Sequence, residues 1–176
     1  MVLGMSLSTF TTLHVVISLI GIGSGLFVVW GLLNNKRFDG ATAIFLVTTV
    51  LTSITGYLFP VERLMPSHIV GAISLVALAV AIYARYGRHM ERSWRSTYVI
   101  SAMISLYLNV FVLVVQLFLK VPALHALAPN GKEPPFAITQ VIVMVIFIAL
   151  AIGAVKKFHP GTIAALEPAL KNGKAS

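Results

Sequence analysis

Five long apolar runs dominate the sequence and constrain its fold more than any other feature. Each approaches or exceeds the roughly 20 residues that a helix needs to cross a ~30 Å hydrocarbon layer. The segments between them, such as NNKRFDG and APNGKEPP, carry the Gly, Pro and Asn residues typical of turns. We therefore predict an all-α, polytopic transmembrane bundle of five helices, forming one integral membrane domain over residues 1–176. The predicted spans are residues 10–33, 41–59, 66–86, 97–121 and 136–155.

The composition supports a membrane protein and excludes several other classes. Only 10% of the residues are charged, whereas soluble domains contain about 25%. A chain with this surface is not expected to be a soluble enzyme. The absence of cysteine excludes a disulfide scaffold and a thiolate metal site. The net charge of +8 comes from residues between the apolar runs, so we expect no nucleic-acid partner.

The distribution of Lys and Arg predicts how the helices are oriented in the membrane. Short cytoplasmic loops carry an excess of these residues. Three basic residues fall on one side of the predicted helices, namely Arg63, Lys120 and Lys132. We therefore predict an outside N-terminus and a cytoplasmic C-terminus. The other ten fall on the opposite side: Lys36, Arg37, Arg85, Arg88, Arg92, Arg95, Lys156, Lys157, Lys171 and Lys174.

Polar residues in three of the spans share one face of each helix. In the second span these are Thr48, Thr52 and Thr55, which we interpret as packing because threonine can return its hydroxyl to its own helix. In the first span, His14, Ser18, Gly21 and Gly25 lie within about 60° of one another, and the two glycines form a GxxxG pattern. This pattern is typical of close helix packing, and a histidine on the same face also suggests a ligand. In the fourth span a stripe within about 100° of arc is either interhelical packing or a polar path. It consists of Ser101, Ser105, Asn109, Gln116 and Lys120.

Three of the five histidines fall at the predicted outer side: His14, His68 and His125. Two histidines at similar depth on different helices can supply both axial ligands of a b-type haem. Small residues such as Gly21 and Gly25 leave room for a flat macrocycle. We therefore predict haem b binding or electron transfer as the first hypothesis for function, with His14 and His68 as the ligands.

Other chemistry fits the same predicted outer pocket. His14, His68 and His125, together with Glu133, could hold Zn or Cu. A quinone head group is a further possible ligand there. Its hydrogen-bonding partners would be a histidine, Gln116, Lys120 and Gln140.

The remaining alternative is a non-catalytic membrane subunit or a lipid-interacting protein whose polar residues only hold the bundle together. No P-loop, HExxH or GxSxG motif occurs, so the sequence identifies no catalytic residue. The segment ARYGRHMERSWR predicts contact with anionic lipid headgroups. The arginines that would make it are Arg85, Arg88, Arg92 and Arg95.

The stretch YLNVFVLVVQLFLKVPALHALAPNGKEPPF, residues 107–136, resembles a group of small proteobacterial inner-membrane proteins. The likeness extends over most of the chain, including TSITGYLFP and PSHIVGAISL. This resemblance implies five helices in a bacterial inner membrane. It carries over no activity, cofactor or catalytic residue.

Overall fold

Six α-helices and one π-helical turn make up the described part of the protein. The computed structural model describes residue 2, residues 4–60 and residues 66–159. No strand occurs within these ranges. Glu62, Arg63, Lys171 and Lys174 lie outside the described residues. The helices are α1 (Leu7–Leu33), α2 (Asp39–Tyr57), α3 (Pro66–Ile82), α4 (Ser93–Lys120), α5 (Pro122–Leu127) and α6 (Pro134–Lys157), with the π-helical turn at Tyr83–Gly87.

Five of these helices are long and apolar enough to cross a membrane, which confirms the predicted number of spans. Ser6 caps the start of α1 by accepting a hydrogen bond from the backbone N–H of Thr9. Pro66 and Pro134 begin α3 and α6, where a missing N–H costs nothing. The short helix α5 is not among the predicted spans, whereas the π-helical turn forms the end of the predicted third span, residues 66–86.

The long helices pack as a four-helix ring with α6 against its outside. α1 packs on α2, α4 and α6, whereas α3 packs on α2 and α4. α1 and α3 therefore lie on opposite sides of the ring. We call the end at which α1, α3 and α6 begin the histidine end, and the other end the arginine end.

The interior differs between the two ends. The main apolar core lies toward the arginine end, where it includes Phe45, Leu78, Tyr98 and Leu106. Toward the histidine end the interface of α1, α2 and α4 instead contains threonine, asparagine and histidine side chains. Of the polar residues that the sequence places on helix faces, those of α1 and the later residues of the α4 stripe lie in this half, whereas Ser101 and Ser105 lie in the other.

Candidate functional site

His14 is half-buried at the histidine end, and its ring is held by α2. The Nδ1 atom lies 2.7 Å from Oγ1 of Thr55. The Thr55 hydroxyl also lies 2.7 Å from the carbonyl of Leu51. We assign its hydrogen to that carbonyl, which makes Thr55 the acceptor and places the proton of neutral His14 on Nδ1. Nε2 then holds a lone pair. Such an Nε2 can ligate a metal or accept a hydrogen bond.

The neighbours of His14 are aromatic on one side and cationic on another. Its ring meets the ring of Phe59 edge-on, with centroids 5.2 Å apart. Phe59 also contacts Phe10, which is buried. Lys120, the last residue of α4, lies within electrostatic range of the imidazole. Gln116 precedes Lys120 by one turn, and both side chains are exposed.

His68 lies against a different side of α2. Its ring is 5.3 Å from that of Tyr57, and the Tyr57 hydroxyl donates to the His68 carbonyl at 2.5 Å. Tyr57 and Thr55 are about 160° apart around α2. The structure therefore places His14 and His68 on opposite sides of this helix and does not bring them together. Gly71 packs on the Tyr57 ring, where a Cβ would lie 3.2 Å from it.

The other predicted ligands are also dispersed. His125 is exposed on α5. Gln140 is buried between α4 and α6, where its Nε2 donates to the carbonyl of Phe111 at 3.2 Å. Among the described residues, no three His, Asp or Glu side chains are grouped as metal ligands. A zinc or copper site formed by His14, His68 and His125 stays a prediction.

The two glycines of the GxxxG pattern have different surroundings. A Cβ on Gly21 would lie 3.1–3.3 Å from polar atoms of Thr48, Thr49 and Asn109. On Gly25 it would lie 2.6 Å from a Leu106 methyl carbon and 2.9 Å from the Phe45 ring. The helix face predicted from the sequence thus runs from His14 through a polar region and ends at an apolar contact.

The polar stripe of α4 divides into a buried and an exposed part between Asn109 and Gln116. Ser101, Ser105 and Asn109 are buried, whereas Gln116 and Lys120 are exposed. The two serine hydroxyls donate to backbone carbonyls of their own helix. The Nδ2 of Asn109 has no hydrogen-bonding partner among the described residues. Asn109 is therefore the residue of this stripe that remains unsatisfied inside the bundle.

A second polar site, at the arginine end, is not predicted from the sequence. The Arg85 side chain is only 4% exposed, and it forms an ion pair with Asp39 at the start of α2. The guanidinium also lies over the rings of Tyr86 and Tyr98. Asp39 is the only aspartate in the chain. The available signal for this pair was the position of this aspartate, at the end of the bundle that carries most of the arginines.

The arginines predicted to contact lipid headgroups have three different environments. Arg88 and Arg92 are exposed, as a headgroup contact requires. Arg95 donates to the carbonyls of Val155 and Phe158 at the end of α6. The Arg85 guanidinium forms an ion pair with Asp39. A contact with anionic lipid is therefore geometrically most accessible to Arg88 and Arg92.

Two open concavities occur on the surface of the described residues, and of the predicted site residues only Glu133 lines one of them. One, of about 440 Å³, lies on the face of α1 opposite His14. The other, of about 580 Å³, is formed by Asn130, Lys132 and Glu133. In that turn the Glu133 carboxylate accepts from Asn130 and from the Lys132 N–H.

Comparison with known proteins provides no relative for this chain: no family model, curated protein or solved structure matches it. The resemblance to small proteobacterial inner-membrane proteins therefore stays a prediction. Function has to be argued from the bundle itself.

Proposed function

We propose that the protein binds the head group of a membrane-soluble quinone at the histidine end, with His14 as the residue that touches it. The observation that supports this most directly is the hydrogen bond from His14 Nδ1 to Thr55. This bond orients the ring and leaves Nε2 as the atom available to a ligand.

The protonation of His14 suits both redox forms of a quinone. In the neutral ring, Nε2 accepts a hydrogen bond from the hydroxyl of the reduced form. In the protonated ring, Nε2–H donates to a carbonyl of the oxidised form. The Lys120 ammonium lies within electrostatic range of His14 and favours negative charge on a ring oxygen there. Gln116 supplies a further amide on the same helix.

Haem b is the second candidate, and the same tautomer supports it. A histidine that ligates a metal usually donates its other ring N–H to a nearby acceptor, as His14 does to Thr55. His68 faces the opposite side of α2, against Tyr57. Ligation of one iron by both histidines would therefore require this end of the bundle to rearrange, and for that reason we rank the quinone first.

Our proposal also includes the location of this site. The excess of Lys and Arg at the arginine end favours a cytoplasmic position for that end. The histidine end then faces the periplasm of a bacterial inner membrane. Arg88 and Arg92 are exposed at the arginine end, where they would meet anionic headgroups.

The experiment uses the full chain purified in detergent after expression with ample haem. Organic extraction followed by chromatography measures bound quinone, and titration with decylubiquinone measures affinity. We expect His14→Ala to lower the affinity at least tenfold and His125→Ala, an exposed histidine, to leave it unchanged. Equal affinity of wild type and His14→Ala would refute the proposal. A Soret band that disappears in His14→Ala, without bound quinone, would establish the haem alternative.

A second variant tests the tautomer assigned to His14 and keeps the imidazole ring. Thr55→Val keeps the shape of the side chain but removes the acceptor for His14 Nδ1. One hydrogen bond contributes about 0.5–1.5 kcal/mol, so we expect decylubiquinone affinity to fall about two- to tenfold. Thr11→Val is a matched control, because the Thr11 hydroxyl bonds only to its own helix. An unchanged affinity in Thr55→Val would remove the main support for this orientation of His14.

A further inference from the structure

Two threonines of α2 differ from the other hydroxyl residues of that helix. Within a helix, Ser and Thr hydroxyls commonly donate to the carbonyl one turn earlier. Thr49 and Thr52 do not, and their Oγ1 atoms are buried with no partner among the described residues. The hydroxyl residues of α2 that do bond in this way are Thr42, Thr48, Ser53 and Thr55.

Asn109 of α4 has an unsatisfied atom on the same interface. Its side chain amide and the Thr49 hydroxyl lie 3.3 and 3.2 Å from the position of a Cβ on Gly21. The two residues are buried, with exposures of 8% for Asn109 and 1% for Thr49. Unsatisfied groups of Thr49 and Asn109 therefore face the space between α1, α2 and α4. Thr52 follows Thr49 by three residues, about 60° away around α2, so it lies on the same side of that helix.

Unsatisfied polar groups of this kind are costly inside a membrane-spanning bundle. Lipid offers no hydrogen-bonding partner, and the buried polar groups of native proteins are nearly always paired with protein or water. The groups here are neutral hydroxyls and an amide. Water satisfies such a set, since a buried water usually makes two to four hydrogen bonds.

The position of these residues also indicates the side from which water enters. Gly21 lies two turns, about 10 Å, along α1 from His14, with Ser18 between them on the same face. His14 is half-buried, whereas beyond Gly21 the interface closes at Gly25 against Phe45 and Leu106. The open direction is therefore the histidine end.

We infer that water occupies the interface of Thr49, Thr52 and Asn109 and reaches it from the histidine end. This internal water site is independent of the ligand proposed for His14. It completes the hydrogen bonds of these residues and extends the aqueous phase to about the middle of the bundle. Phe45 and Leu106 separate it from the arginine end.

The inference is tested by water-edited solid-state NMR on the full-length protein in lipid bilayers. Magnetisation from water is expected to reach the Asn109 amide and the Thr49 methyl group quickly. Ser53 and Ser74 provide the internal control, because they are buried and their hydroxyl oxygens lie within hydrogen-bonding distance of each other, at 3.3 Å. We expect build-up at Asn109 to be at least threefold faster than at Ser53.

A variant distinguishes water from a direct bond between the protein groups. Thr49→Val keeps the side-chain shape but removes one polar partner of the water. We expect it to slow the build-up at Asn109 at least twofold and to leave Ser53 unchanged. Build-up at Asn109 as slow as at Ser53 in the wild type would show a dry interface and overturn the inference. An Asn109 signal unaffected by Thr49→Val would also overturn it, because Thr49 would then hold none of the water.

Discussion

Glu133 is a solvent-accessible carboxylate that accepts hydrogen bonds from N–H groups of its own turn. Desolvation acts to raise its pKa. The hydrogen bonds from Lys132 and Asn130 outweigh this effect and lower the pKa of Glu133 to about 2. Since the folded value lies below that of an unfolded glutamate, the carboxylate stabilises the fold above about pH 4.5. This contribution is lost as the pH falls from about 4.5 to 2.

We predict that Glu133→Gln reduces the acid sensitivity of the protein. In detergent, the melting temperature of the wild type should fall between pH 6 and pH 3, and the fall should be smaller in the variant. Glu91→Gln removes an exposed carboxylate at the other end and should retain the full fall. The same pH dependence in all three proteins would contradict the role assigned to Glu133.

The threonines of α2 show which hydrogen bonds the sequence predicts and which it does not. The spacing of Thr48, Thr52 and Thr55 predicts one packed face, with hydroxyls returned to their own helix. Thr48 and Thr55 bond in this way, but Thr52 does not. Thr49 is absent from the predicted face and yet is buried. Helical spacing gives the direction of a side chain, but its hydrogen bond depends on neighbours that only the packed bundle supplies.

At the scale of helices, the Asp39–Arg85 ion pair joins the start of α2 to the π-helical turn after α3. We predict that Asp39→Asn lowers the free energy of unfolding by about 1–2 kcal/mol, since Arg85 keeps a buried charge but loses its counter-ion. Unfolding in mixed micelles with increasing SDS measures this change. Arg37→Gln removes the exposed partner of Asp39 and should cost less.

The double variant Asp39→Asn/Arg85→Met separates loss of the pair from loss of the charge. Only the guanidinium of this pair is buried, and removing a buried charge together with its partner is often close to neutral. The double variant should therefore be more stable than Asp39→Asn alone. If it is less stable, the unpaired guanidinium is not the source of the cost.

Two glycines of α1 provide a matched test of helix packing. A Cβ on Gly25 would press on Leu106 and Phe45, whereas one on Gly23 would meet nothing within 4 Å. We predict that Gly25→Ala destabilises the bundle by about 1–3 kcal/mol through overpacking. Gly23→Ala should be neutral or stabilising, because alanine favours a helix over glycine. Equal effects in SDS unfolding would contradict this packing of α1 against α2 and α4.

For the whole molecule, cysteine labelling tests the predicted orientation of the helices in the membrane. The natural chain contains no cysteine, so single cysteines can be labelled without background. Asn130 and Arg88 are exposed at the histidine and arginine ends. In intact cells we expect an impermeant maleimide to label Asn130→Cys, and to label Arg88→Cys only after permeabilisation. The reverse pattern would invert the predicted topology and place His14 on the cytoplasmic side.

The number and approximate limits of the membrane-crossing helices were predictable, because length and apolar composition determine them. The fourth helix begins at Ser93 instead of residue 97, and α5 was not predicted. Which helices would be neighbours was not predictable. His14 and His68 have similar predicted depths, but α1 and α3 lie on opposite sides of the ring. Depth follows from the order of residues in one helix, whereas lateral position depends on the packing of all of them.

The ion pair between Asp39 and Arg85 also bears on how the chain is made. The two residues are 46 positions apart, and a ribosome adds about 5–20 residues per second. Asp39 therefore emerges about two to nine seconds before its partner. The Asp39 side chain is 68% exposed even in the folded protein, so its carboxylate can stay hydrated until Arg85 is synthesised. Arg85, which is buried in the folded protein, is therefore synthesised after the counter-ion that compensates its charge.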